Sequence, residues 1–435
     1  MGGVIALLWI LSGHVESARG AETRSPGLVE VIRLAESYSP DLKAASEGER
    51  EASGKIQVGE SYYYPSLDFT AVDSTGFAAS AAPAAGFNGL MDSPFRVGWS
   101  TGAYTRVTLF DLTREYGVRA AKSGLQAARG GTAVSRLDVD LMGMNLFLDA
   151  VLSQNQRDIW KKIQTEVDRV YGFVRKFVRN GQYSEVTQWL LKNQSELALQ
   201  KQEVYQQGYL AAIRRLEILT GSPEGSLLVT GVDGDLDALD SLLGSLTRSI
   251  PEESPLIARP RLEAQTFHEI ASQQSAQNWP RLLGIASAGA MDESRLVPLQ
   301  NYSAWIGVTF PIFEGFRISA EVEQARAEAS RRDDLVEQAR LRLADSEIRY
   351  SQEIKAREID FHRFGIERQY AAEAMKLAEH RLVTFVGELA DVRDSLSSFE
   401  AAESGLSGAK LELLRAKLAW VLVQGARIPQ PDRLK

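Results

Sequence analysis

Two carboxylates, Asp391 and Asp394, stand three residues apart just past a short break at Gly387. That spacing puts both on one helix face. Such a pair can attract a cation, and it can equally be the solvated acids that a first helical turn favours. Little else has the makings of chemistry. His14, His268, His362 and His380 are scattered. There is no cysteine, which excludes thiol catalysis, disulfides and thiolate metal sites. No H-E-x-x-H, G-x-S-x-G or phosphate loop occurs. The chain therefore offers no catalytic constellation, no metal site and no cofactor site, and is not expected to be an enzyme. Net charge is -8 with both signs dispersed, unlike the basic stripe of a nucleic-acid binder. With 44% hydrophobic and 24% charged residues, the composition is that of an ordered protein.

The residues with positional meaning are glycines and prolines. Gly181 and Gly387 each separate two long helical stretches, where glycine permits a tight reversal. Pro65, Pro280, Pro311 and Gly315 fall where a helical pattern meets a strand pattern. These marks recur in order. Ser39-Pro40 returns as Ser254-Pro255, Tyr64-Pro65-Ser66-Leu67 as Trp279-Pro280-Arg281-Leu282, and Thr108-Leu109-Phe110-Asp111 as Pro311-Ile312-Phe313-Glu314. Gly181-Gln182-Tyr183-Ser184 returns as Gly387-Glu388-Leu389-Ala390, and both halves close on a glycine, Gly221 and Gly425. An internal repeat of this size sets the architecture. We expect one repeat over 28–221, a connector over 222–253, a second repeat over 254–425 and a tail over 426–435.

Each half reads as a helix (about Gly27–Ser61, then about Pro255–Asn278), two strands, a very long helix, a glycine break and a closing helix. In the strands, Leu67, Phe69 and Ala71 alternate with Asp68 and Thr70. Trp99, Thr101, Ala103, Thr105, Val107 and Leu109 alternate with more polar residues, as do Tyr302, Ala304, Ile306, Val308 and Phe310. One apolar face suits a barrel strand between lipid and water, and also a soluble sheet. Trp99, Trp305, Tyr302 and Tyr104 are expected either in interfacial aromatic belts or in a core.

No proline interrupts Leu112–Val178 or Phe316–Val386. Helices of that length would reach roughly 100 Å and need a coiled coil or a helical tube. Val134, Leu137, Leu141, Met144, Leu148 and Val151 follow heptad spacing, continued by Val167, Val170, Val174 and Phe177. Val322, Ala325, Ala329, Val336, Ala339 and Leu343 repeat it, as do Ala402, Leu406, Ala409, Leu413, Ala416, Trp420 and Val423. The many alanines suit the close approach of helices in a tube.

At the N-terminus the apolar run Val4–Leu11 and the small residues Ala18 and Gly20 are expected to be a secretory signal peptide over 1–20, although no Lys or Arg precedes the run. Beyond it no stretch approaches the ~18 apolar residues of a spanning helix. Entry into a membrane would have to be by strands of a closed barrel.

With these features together, the chain resembles the TolC-like outer-membrane efflux proteins. The resemblance rests on YYYPSLDF at Tyr62–Phe69, NWPRLLG at Asn278–Gly284, VTLFDLTRE at Val107–Glu115, VTFPIFEGFR at Val308–Arg317 and the turns at Gly181 and Gly387. It implies a mainly helical subunit whose four strands enter a β-barrel shared by three copies in the outer membrane of a Gram-negative bacterium. Its helical hairpins would form a trimeric α-barrel in the periplasm. It implies a passive export duct, a homotrimer in outer-membrane lipid. The partners implied are a periplasmic adaptor (membrane fusion) protein and an inner-membrane pump or ABC transporter, in tripartite efflux or type I secretion. It further implies that Gly181, Gln182, Tyr183, Ser184, Gly387, Glu388, Leu389 and Ala390 dock the adaptor, and that Asp391 and Asp394 ring the pore mouth, although these acids lie at a different distance from the glycine than the family pattern has them. The rival reading is a periplasmic or cytoplasmic coiled-coil scaffold without a channel.

Overall fold

The computed structural model describes residues 25–76, 96–229, 254–292, 299–384, 386 and 388–425. The signal-peptide and C-terminal-tail expectations, most of the connector, and Gly387 lie outside these residues. The elements are α1 (Leu28–Tyr38), α2 (Pro40–Ser61), β1 (Ser66–Gly76), β2 (Arg96–Phe110), α3 (Leu112–Val178) and α4 (Glu185–Thr220). They continue with α5 (Pro255–Ser275), β3 (Arg281–Asp292), β4 (Leu299–Thr309), α6 (Arg317–Val383) and α7 (Leu389–Val423). The order of helix, two strands, long helix and helix is thus seen twice.

One expected element is divided. The helix read over Gly27–Ser61 is two, α1 and α2, parted at Ser39. Pro40 crowds the helical conformation of the residue before it, and Ser39 accordingly takes φ -46 and ψ 121. In the second repeat Ser254 caps α5 by accepting from the Leu256 N–H at 3.4 Å, and Pro255 takes the first helical position, where no N–H is needed. A short 3₁₀ turn, Ala276–Asn278, then ends the helix ahead of Pro280. Asp111 starts α3, its Oδ1 accepting from the Thr113 N–H at 2.9 Å while Arg114 pairs with its other oxygen at 3.3 Å.

The chain forms two compact units, each drawing on both repeats. One takes residues 41–135 and 251–345, and holds the sheet. The strands lie in the order β1-β2-β3-β4, all antiparallel, so β2 of the first repeat pairs with β3 of the second. Helices in this unit are tied by charged side chains, including Lys122–Glu60 at 3.2 Å and His268–Asp333 at 2.9 Å.

The other unit takes residues up to 40, 136–250 and 346–435. Within it α4 bonds to α3 through Gln202–Gln164 at 2.7 Å and Ser195–Asp168 at 2.6 Å. Further along, α3 bonds to α7 through the buried Gln156, which holds the Ser404 carbonyl at 3.0 Å and its hydroxyl at 2.7 Å. Arg415 on α7 reaches Asp149 on α3 at 2.5 Å. Finally α7 meets α6 through Arg368–Glu403 and the tilted pair Tyr350–Trp420, 5.8 Å apart. The contacts thus join α4 to α3, α3 to α7 and α7 to α6, and α3 also reaches α6 through Arg169–Glu379 at 2.5 Å. The expected seam is buried at Leu137, Met144, Leu148, Val151, Val167, Val170 and Val174. In α7, Leu411, Leu414, Leu418 and Val421 are also buried, a second stripe beside the expected one. That fits a helix covered on two sides.

Candidate functional site

Three places could carry function: the sheet faces, the hairpin turns, and the acids beyond the second turn. The sheet sorts its side chains by register, since paired residues share a face and successive residues alternate. One face carries Leu67, Phe69 and Ala71 from β1 and Thr101, Ala103, Thr105 and Val107 from β2. From β3 and β4 it carries Ala286, Ala288, Tyr302, Ala304, Ile306 and Val308. Phe69 is 74% exposed, Ile306 70% and Val308 67%, so the apolar face is uncovered. The other, more polar face holds Asp68 and Thr70, Tyr104 and Arg106, Leu283, Ile285 and Ser287, and Ser303 and Trp305. A bulge between Thr108 and Phe110 interrupts the β2–β3 ladder where the sheet ends.

The register divides the aromatic residues between the two faces. Tyr302 belongs to the apolar face, whereas Tyr104 and Trp305 sit on the polar one; the side chain of Trp99 lies outside the described residues. The junction residues stand where read. Pro65 directly precedes β1, Pro280 precedes β3, and Pro311 follows β4. Gly315 has φ 60 before α6, followed by Phe316 at φ 65.

The first hairpin turn is built from Gly181 outward. The Gly181 N–H donates to the Val178 carbonyl at 3.0 Å and the Gln182 N–H to the Phe177 carbonyl at 3.0 Å, a Schellman closure of α3. Gly181 is left-handed at φ 74, as the motif demands. Ser184 caps α4, accepting from the Thr187 N–H at 3.3 Å. The Tyr183 hydroxyl crosses to the second hairpin and donates to the Leu382 carbonyl at 2.6 Å. Burial pushes its phenol up, which keeps the donated proton in place. Beneath lies a core of α3, α4, α6 and α7 side chains, with Ile163, Val170, Val174, Leu191, Leu382 and Val392 at its centre.

The second turn differs. Its closing bond runs from the Val386 N–H to the Arg381 carbonyl at 3.0 Å. This bond spans five residues, as the Gln182–Phe177 bond of the first turn does. Glu388, at the N-cap of α7, makes no side-chain cap.

Asp391 and Asp394 lie in the first turns of α7 and are exposed, while Val392 and Leu396 beside them are buried. They share the solvent side of α7. Arg393, which the spacing argument left out, pairs with Asp394 at 3.1 Å and offsets part of its charge. Among the described residues no group of His, Asp and Glu is placed to hold a metal ion. None of the described helices is long and apolar enough to cross a membrane.

Residues 246–425, the whole second repeat with the end of the connector, match the family model described as outer membrane efflux protein. No curated protein matches the sequence. Among solved structures, the outer membrane protein VceC from Vibrio cholerae superposes with a TM-score of 0.75 at 15% identity, covering 92% of this chain and 96% of that one. The Campylobacter jejuni CmeC outer membrane channel gives 0.73 at 16%, covering 92% and 85%. The Neisseria gonorrhoeae MtrE outer membrane channel, in its open state, gives 0.73 at 14%, covering 92% and 89%. At such identities the likeness establishes the fold, and the family match over the second repeat agrees with it.

Proposed function

We propose, from a fold shared with outer-membrane channels and a second repeat that matches the efflux-protein family, that this chain is one of three identical subunits of a passive export duct. The apolar sheet face meets lipid, the polar face lines the duct, and the long helices continue it through the periplasm. Nothing in this reading calls for catalysis or a cofactor. Repeats 28–221 and 254–425 would each contribute two strands and one helical hairpin.

The observation that carries the assembly is a pair of unpartnered apolar stripes. On α4, Val186, Leu190, Leu197, Val204 and Ile218 are exposed at heptad spacing, turned well away from the stripe that faces α3. On α6, Ile348, Ile359, Ile366, Tyr370 and Leu377 are exposed on the side away from its buried residues. Contiguous exposed apolar stripes mark interaction surfaces. Two of them, on different helices of one subunit, fit head-to-tail closure with further copies. The sheet makes the same demand, because β1 and β4 have open edges, and open edges do not persist in lipid.

The turns at Gly181–Ser184 and Gly387–Ala390 are then the docking segments for a periplasmic adaptor that links the duct to an inner-membrane pump or ABC transporter. Which kind of transporter supplies the energy decides between efflux and type I secretion. The test is fractionation and assembly. The protein is expected in the outer membrane and as a trimer in mild detergent, and Leu197→Glu with Val204→Glu is expected to leave only monomers. A soluble monomer from the unaltered chain, or a trimer indifferent to both charges, would overturn the reading.

A further inference from the structure

Trp305 stands on the polar face of the sheet, away from the apolar residues that flank it in sequence. The β4 register sets it opposite Ile285, which in turn faces Arg106 on β2. The neighbouring row on that face holds Asp68, Tyr104, Ser287 and Ser303, the two serine hydroxyls 2.7 Å apart. Two residues along the same face comes Gly307. A Cβ there would stand 2.4 Å from the Trp305 ring, a distance no side chain could accept. The indole therefore lies along the strand toward Gly307, its six-membered ring in the space a side chain there would take. It is 47% exposed.

We propose that Trp305 is a contact for flat aromatic solutes that carry a negative group as they pass through the duct. This rests on the reading above, in which the polar face lines the lumen. The solute would stack on the exposed indole and turn its anion toward the exposed Arg106, about 10 Å away across two strand spacings. Gly307 is a positioning residue, since any side chain there would lift the ring off the wall. Stacking of this kind is weak. A conduit needs weak contacts, because what binds must also leave. Three subunits would repeat the contact around the wall.

The natural absence of cysteine makes the test direct. In purified full-length protein, Trp305→Cys is expected to react with a charged, membrane-impermeant thiol reagent, while Tyr302→Cys in lipid is not. In planar bilayers, naphthalene-2-sulfonate is expected to cause brief blockades that ethanesulfonate does not. Trp305→Ala should weaken that block roughly three- to tenfold, the range of one aromatic contact. Trp305→Phe should keep part of it, and Arg106→Gln should weaken it as well. If Trp305→Ala does not assemble, the Phe variant and the labelling decide. Trp305→Cys left unlabelled in a conducting trimer would overturn the proposal, and so would a block unchanged in Trp305→Ala or in the Phe variant. A wild-type chain that forms no conducting trimer would instead refute the duct reading, and this proposal with it.

Discussion

The two hairpin turns do the same topological work with different chemistry. The first spends six residues, 179–184, between α3 and α4; it has a left-handed glycine before its closing bond, a serine cap and a tyrosine pinned to the opposite hairpin. The second uses five, 384–388, between α6 and α7, closes from Val386 and starts its next helix on a glutamate that caps nothing. A repeat can therefore keep its path while exchanging the local bonds that hold it. What persists is the burial beneath, where Val174 and Leu191 of one hairpin meet Leu382 and Val392 of the other.

The sharpest way to break this comparison is backbone strain. Gly181→Val finds open space for its side chain but must hold a left-handed backbone. It is expected to cost about 1–2 kcal/mol, read as a lower melting temperature of the detergent-solubilised protein. An unchanged melting temperature would show that the first turn does not depend on a left-handed residue. Capping gives the next effect. Ser184→Ala should cost about 1 kcal/mol, whereas Glu388→Ser should gain stability by supplying the cap that α7 lacks. No gain in the Glu388→Ser protein would mean that the second helix start is satisfied in another way.

The acids beyond the second turn give a smaller, functional effect. Replacing Asp391 and Asp394 by Asn should reduce cation preference in planar bilayers, if their shared side faces the lumen. The effect should fade at 1 M salt, where the Debye length is about 3 Å. Arg393→Gln is expected to act in the opposite direction by releasing Asp394 from its partner. Wild-type selectivity in both variants at low salt would assign this side of α7 to the outer surface.

The smallest effect concerns Glu400 on α7. Burial holds its carboxyl above its ordinary value of 4.5, and Lys201 only partly opposes this. A folded value above the unfolded one favours the protonated form in the folded state. The contribution is full at acid pH and is lost as pH rises through the folded value. Glu400→Gln should flatten that decline and melt higher than wild type at pH 7; a variant that melts lower would show that the carboxylate makes a needed contact.

The order of elements was legible along the chain, because each rests on local physics. Prolines stop helices, alternation marks strands, and heptads mark long helices that must pack. Even the division of the first helix was written in Ser39-Pro40, and reading through it was an error of weighting. The Schellman glycine at Gly181 and the buried seam of α3 also follow from neighbours close in sequence. What only the tertiary structure decided are relations between distant residues. Alternation within β4 separates Trp305 from Tyr302, but only the register of the four strands brought their apolar sets onto one common face. The Tyr183 hydroxyl has its partner at Leu382, about two hundred residues away along the chain, and nothing local to Tyr183 announces it. The stripes of α4 and α6 have the same spacing as the buried seams. Sequence periodicity marks a surface to be covered, and only the packing of the rest of the chain shows which surfaces are left over for another copy.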